Sequence, residues 1–273
     1  MERIDSFKAY LLREEKSPLT IEKYVRDVAA FLHWLGDMRL EKIAVLTYKE
    51  AMVQRLATAS VNSVLSSLNC FFKFLGRHDC RVKTVKIHRT VYRTEEKELT
   101  REEYGRLVRC AQQDERLCLL IQAICATGIR VSEHRFLTVE AARQGFAEVR
   151  LKGKQRRIYL PGKLCKALLR YAGKRGIREG SIFVTAGGKP MDRSNIWSRM
   201  KALCERAGVT RGKVFPHNLR HLFARSFYET EKDIVRLADI LGHASINTTR
   251  IYTMESGLVH RRQIEKMQLL LTT

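Results

Sequence analysis

Apolar side chains recur at helical spacing through most of the chain. Ile21, Tyr24, Val25, Val28, Phe31, Leu32 and Leu35 fall on one face of a helix. Ser17 before Pro18 marks its start, because serine caps free N–H groups and proline suits the first turn. Val61, Val64, Leu65, Leu68, Phe71, Phe72 and Leu75 mark a second face. Helices near 3–15 and 46–58 complete a four-helix unit over residues 1–78. The pattern then stops. Residues 79–98 hold Lys83, Lys86, Arg89, Arg93 and Lys97 with few large apolar groups, as a basic interdomain linker or a solvated loop would. A second domain, 99–273, opens on Thr100 and Glu103, the T-x-x-E of a capping box. Helices are predicted at 101–112, 114–126, 162–174, 193–207, 217–229 and 231–241. Strands at 146–151 and 156–160 flank a hairpin turn, Lys152-Gly153-Lys154-Gln155. The fold class is mainly α with a small antiparallel sheet.

Charge narrows the partner. Lys and Arg total 51 of 273 residues against 29 Asp and Glu, a net charge of +22. Such an excess repels itself unless a polyanion accepts it, and nucleic acid is the leading polyanion. The cations are spread along the chain, as a long binding surface requires. A membrane is the competing surface, but no apolar run approaches the roughly 20 residues that span a bilayer. Residues 1–16 lack the apolar centre of a signal peptide. A soluble protein of the cytosol is expected. The seven cysteines form no C-x-x-C pair, so neither a disulfide framework nor a zinc site is expected. Cys118 and Cys125 share a helical face, as small buried hydrophobes do.

Three short segments carry candidate chemistry. In Ala126-Thr127-Gly128-Ile129-Arg130-Val131-Ser132-Glu133, Gly128 ends an apolar helix and Arg130 stands at the boundary with the next helix. In Pro216-His217-Asn218-Leu219-Arg220-His221, a base and a guanidinium three residues apart share a helix face. In Leu241-Gly242-His243-Ala244-Ser245-Ile246-Asn247-Thr248-Thr249-Arg250-Ile251-Tyr252-Thr253, a glycine stops a helix before His243, with Tyr252 beyond. Each alone also fits an ordinary basic helix face or a core tyrosine.

Taken in order, Arg130, a hairpin lysine, His217-x-x-Arg220, Leu241-Gly242-His243 and Ile251-Tyr252 resemble the tyrosine recombinase family, especially its Xer-type and phage-integrase-like members. The resemblance covers nearly the whole chain. Residues 17–28, SPLTIEKYVRDV, are similar to the family's SAM-like core-binding domain. It implies that Tyr252 attacks a scissile phosphate and that Arg130 and Arg220 clamp its oxygens. His217 would then assist proton transfer, and His243 would hydrogen-bond the phosphate. Lys152 would protonate the leaving oxygen, with Lys154 as the alternative. Glu133 and His221 would support these groups. His134, Arg135 and Met254 depart from the family pattern without removing a catalytic group.

Elementary chemistry makes sense of the set. A phosphodiester is anionic, and planar guanidinium forks neutralise charge growing on its oxygens. Phenols titrate near ~10 and need help to lose a proton. An ammonium among other cations becomes acidic enough to protonate a leaving alkoxide. No metal or other cofactor is expected, since the cations are built in and H-E-x-x-H, phosphate-cradling and acidic-cluster motifs are absent. The covalent link conserves the bond's free energy, so no ATP is expected.

The implied partner is double-stranded DNA with short inverted half-sites. Arg193, Asn195 and Lys213 are candidate DNA contacts, or solvated surface. The resemblance implies a synaptic tetramer, of this chain alone or with a second recombinase. Residues 259–271, with Val259, Ile264, Met267, Leu270 and Leu271, would form a helix packed on their own domain or docked on a neighbour. The chain is expected to start at the core-binding helices, without a domain for distant arm sites. Chromosome-dimer resolution, element integration or excision, and inversion all use this chemistry. A non-cutting DNA-binding protein, a type IB topoisomerase and a basic RNA-binding protein are the competing readings.

Overall fold

The computed structural model describes residues 2–86, 97–151, 154–243, 245–252 and 265–267. Lys152, Met254, residues 87–96 of the expected linker and nearly all of the expected 259–271 helix lie outside the described residues, as does the Lys154 side chain. The chain divides into two compact units, residues 1–90 and 91–273.

The first unit is built from α1 (Glu2–Arg13), α2 (Pro18–Leu35), α3 (Lys42–Arg55) and α4 (Thr58–Phe74). Ser17 caps α2 as its sequence predicts, accepting from the Thr20 N–H. Phe7, Leu11, Val28, Phe31, Val45, Leu65, Leu68, Phe71 and Phe72 are fully buried between the helices. Among them, Asp27 is paired with Lys23 at 2.5 Å and accepts from Ser67 Oγ at 2.9 Å. The third helix starts and ends earlier than the predicted 46–58. Only Val45 and Met52 of α3 are buried, so its apolar face is too thin to mark its ends.

The stretch read as linker begins attached. Val82 is buried, and Asn69 on α4 both accepts from its N–H at 3.0 Å and donates to its carbonyl at 2.9 Å. Asn62, seven residues earlier on α4, holds Val85 in the same two-bond manner at 2.8 and 2.9 Å. The two amides imitate a neighbouring β-strand, so residues 82–85 run along α4.

The second unit contains α5 (Arg101–Cys110), α6 (Glu115–Thr127), α7 (Val139–Gln144), β1 (Phe146–Leu151), β2 (Lys154–Tyr159), α8 (Gly162–Lys174), α9 (Arg193–Ala202), α10 (Cys204–Ala207), α11 (Pro216–Glu231), α12 (Ile234–Leu241) and α13 (Ile246–Thr249). Short 3₁₀ turns cover Val131–Phe136 and Arg250–Tyr252. The architecture is mainly α with one two-stranded antiparallel hairpin, as the sequence predicts. The strands pair from Phe146 opposite Tyr159 to Leu151 opposite Lys154, so β2 starts two residues before its predicted limit. The predicted 193–207 helix is two helices that break at Leu203, whose side chain is buried.

α6 runs through the core, with Leu117–Ile121, Ala123 and Ile124 buried around nearly its whole circumference. Its end is fixed by Gly128, at φ +64°; a Cβ there would lie 2.4 Å from the Phe223 ring. The Thr100–Glu103 capping box forms in both directions, at 3.1 and 2.9 Å. α11 secures the start of the unit. Asn218 donates to the Lys97 carbonyl at 2.9 Å, and Arg225 bonds to Glu98 and to the Leu99 carbonyl. No helix among the described residues is long and apolar enough to cross a membrane.

Candidate active site

The site gathers at the C-terminal end of α12. Helix ends leave backbone carbonyls unpaired, and cations are favoured there. Three successive carbonyls are each met by a different arginine. Ile240 accepts from Arg156 Nη1, Leu241 from Arg220 Nη2 at 2.7 Å, and Gly242 from Arg130 Nη2 at 3.3 Å. The chain turns away at Gly242, whose φ is +64°, a conformation glycine adopts without strain.

Arg220 is 1% exposed, an extreme position for a guanidinium. Its Nη1 donates to the Gly128 carbonyl at 2.5 Å, so the ends of α6 and α12 share it. Burial, then the nearby Arg130 charge, push its pKa down to about 10, which still leaves it charged at neutral pH. Arg130 stands in extended backbone just before the 3₁₀ turn and is half-exposed. Glu133, one turn on and buried, accepts from the Arg130 N–H at 2.8 Å and from its Nη1 at 2.9 Å.

His243 lies 3.0 Å from Arg220 Nη2 through its Nε2. Arginine only donates, so Nε2 accepts. The ring proton therefore sits on Nδ1, which donates to the buried Thr249 hydroxyl at 2.8 Å. Burial, then Arg220, Arg130 and Arg156, hold the His243 pKa down to about 4. In this tautomer the ring orients Arg220.

Tyr252 is buried in the 3₁₀ turn after α13, against Ala224, Leu237 and Leu241. Its ring meets His221 edge-on, with centroids 4.8 Å apart, and lies nearly parallel to His243 at 6.0 Å. His221 in turn meets His217 edge-on at 4.7 Å. Burial first, then His217 and Arg220, push His221 down to about 4. His217 opens into a cavity of about 300 Å³ bounded by Arg130, Arg220, Arg193, Trp197 and Phe215. Partial burial, then Arg220, Arg130 and Arg193, lower the pKa of His217 as well.

These shifts predict a pH dependence. A histidine depressed from 6.5 to about 4 binds fewer protons folded than unfolded across that window. Its contribution is complete above pH 6.5 and is lost as the pH falls towards 4. Denaturant midpoints should therefore drop more steeply with acid in the parent chain than in a His221→Gln, His243→Gln double variant. Parallel slopes would refute the assignment.

The sequence candidates separate clearly. Arg130, His217, Arg220, His243 and Tyr252 converge, drawn from segments more than a hundred residues apart. Arg193 joins them at the cavity wall. Asn195 is exposed on α9, its N–H held by the Asp192 cap. Lys213 is mostly buried and paired with Glu103 at 2.9 Å, so it serves the capping box of α5. His134 is 4% exposed, with its Nδ1 2.5 Å from the Val131 carbonyl, a core residue.

Sequence reasoning missed Arg156 and Thr249. Arg156 shares its strand face with buried Ile158, while Arg157 and Tyr159 face solvent. An arginine on the inward face of a strand was the available signal. Among the described residues, no group of His, Cys, Asp or Glu is placed to hold a metal ion.

Arg130, Arg193 and Arg220 line the cavity, and the carboxylate of Glu133 is bonded to one of them from outside it, so the cavity is cationic and suits an anion. Comparison with known proteins gives that chemistry a family. Residues 97–257 match the model of the phage integrase family, and residues 4–79 match its N-terminal SAM-like domain. Tyrosine recombinase XerA of Pyrococcus furiosus is 31% identical, over 98% of this chain and 95% of its own. A crystal structure of XerA recombinase is 28% identical, with a TM-score of 0.54 over 99% of both chains. A λ integrase tetramer bound to a Holliday junction shares the fold, with a TM-score of 0.75 at 17% identity over 92% of this chain and 76% of its own. The chain belongs to the phage integrase family as an Xer-like tyrosine recombinase, an enzyme of site-specific DNA cleavage and rejoining.

Proposed function

We propose that Tyr252 is the nucleophile of this recombinase and that Arg130 and Arg220 bind the scissile phosphate. The phenolic oxygen attacks phosphorus and forms a 3′-phosphotyrosine bond, while the bond from phosphorus to the 5′ oxygen breaks. Lys152 gives that oxygen its proton, with Lys154 as the alternative donor. The freed 5′-hydroxyl of a partner strand then attacks the phosphotyrosine, restoring the backbone and releasing Tyr252. His217, whose pKa is lowered by burial and then by Arg220, Arg130 and Arg193, serves as the base. His243 holds Arg220 before DNA arrives. Phosphate charge then favours a protonated ring that donates to a phosphate oxygen.

The observation that carries this reading is the anchoring of Arg130 and Arg220 on adjacent carbonyls, Gly242 and Leu241, with His243 next in the chain and Tyr252 stacked beside it. Such donors are in place before charge develops, which is where electrostatic catalysis is strongest.

The substrate is double-stranded DNA carrying short inverted half-sites, contacted by Arg193 and Asn195 on α9. Two duplexes are joined in a tetramer, of this chain alone or with a second recombinase, as λ integrase forms on its junction. Residues 259–271 dock on the neighbouring subunit, or else pack on their own domain. The biological task is chromosome-dimer resolution or integration and excision of a mobile element.

A nicked suicide duplex bearing the repeat tests the chemistry, because loss of a short fragment traps the intermediate. Peptide mapping of the trapped adduct is expected to find the 3′ phosphate on Tyr252. An adduct on any other residue overturns the reading.

A further inference from the structure

Arg156 is the one arginine at the end of α12 to which the mechanism above gives no task. Its side chain is 14% exposed. Nη2 donates to Glu133 Oε2 at 2.5 Å, and Nη1 donates to the Ile240 carbonyl. It thereby ties together β2, the 3₁₀ turn behind Arg130, and the helix end that leads into His243. Gly242 makes room for it, since a Cβ there would lie 2.5 Å from Arg156 Cδ.

The division of Glu133 is the important detail. Oε1 faces the Arg130 guanidinium, whereas Oε2 is taken by the Arg130 N–H and by Arg156. Carboxylates and guanidinium groups otherwise prefer a two-bond fork, which would occupy Arg130 and cancel its charge. Without Arg156, Oε2 keeps only the Arg130 N–H, so the carboxylate can turn to close that fork, and the Arg130, Arg156 and Arg220 cluster loses one of its three guanidinium charges.

We propose that Arg156 is a positioning residue for strand cleavage: it holds Glu133 so that a single carboxylate oxygen engages the Arg130 guanidinium, leaving Arg130 able to meet the scissile phosphate. This rests on Arg130 being a phosphate ligand. A misplaced catalytic group costs up to about a hundredfold in rate, so a loss of roughly tenfold to a hundredfold is expected on removing Arg156.

The test uses the full chain on suicide duplexes whose scissile linkage is either a phosphate or an uncharged methylphosphonate. Formation of the Tyr252 adduct by the parent chain comes first; its failure would count against the mechanism, not against Arg156. With saturating protein, Arg156→Gln should slow adduct formation on phosphate by that factor, while DNA affinity stays within about twofold. Arg156→Lys keeps the charge and should recover part of the rate. The Arg156→Gln defect should shrink on methylphosphonate, where less charge needs neutralising. In an Arg130→Ala background it should nearly vanish, since coupled residues are not additive. An equal defect on both linkages, a full additive loss with Arg130→Ala, or a parent-like rate would each overturn the proposal. If Arg156→Gln melts below the assay temperature, Arg156→Lys carries the same comparison. Equal defects of the lysine variant on the two linkages would then sink the idea.

Discussion

A Tyr252→Phe chain is expected to bind its DNA site as the parent does and to form no covalent adduct with it. The packing argument is direct. The Tyr252 ring lies against Ala224, Leu237 and Leu241, edge-on to His221 and parallel to His243. Phenylalanine fills that space with the same ring, so stability should change by no more than about 1 kcal/mol. The chemistry loses its attacking oxygen entirely. Phosphodiesters break too slowly in water for any background rate to be seen. Denaturing gels of a suicide-substrate reaction read the outcome, with a gel shift as the binding control. A persisting adduct would show that another residue attacks phosphorus.

Arg220→Ala should damage stability and chemistry together. The guanidinium fills a fully buried space and serves the Gly128 carbonyl, the Leu241 carbonyl and His243. Truncation leaves a cavity and strips two buried carbonyls of this donor, a cost of roughly 3–5 kcal/mol. His243 also loses the donor that fixes its tautomer. Losing one preorganised donor at the phosphate should slow cleavage by about 10²–10³-fold. Arg220→Lys should fall between, because one ammonium cannot span both helix ends as the planar fork does. Thermal melting and single-turnover adduct formation measure the two effects separately. A variant that melts like the parent and cleaves within threefold of it would remove Arg220 from both roles.

The helices with broad apolar faces were legible in the sequence. α2 and α4 carry five and six buried residues, and both were placed within a few residues. α3 slipped because two buried side chains give no clear face. The helix expected after Arg130 is a 3₁₀ turn, Val131–Phe136, and α7 was not predicted, since it is only six residues long. The site was legible where residues sit in ordered motifs, as with His217-x-x-Arg220 and Gly242-His243. What was hidden depends on tertiary bonding. Nothing local shows that Lys213 turns to Glu103 rather than to solvent. The capture of Val82 and Val85 by asparagines on α4 was hidden too, because their partners lie 13 and 23 residues away.

The arginines at the end of α12 grip main-chain oxygen. A carbonyl is the same group whatever side chain it carries, so the residues at 240 and 241 answer to the packing around them and not to the phosphate. Gly242 alone is constrained by its arginine neighbour. Substitutions at 240 and 241 can thus repack the core behind α12 while the three arginine-to-carbonyl bonds keep their places. In this architecture the placement of the guanidinium groups is inherited through the backbone path of α12.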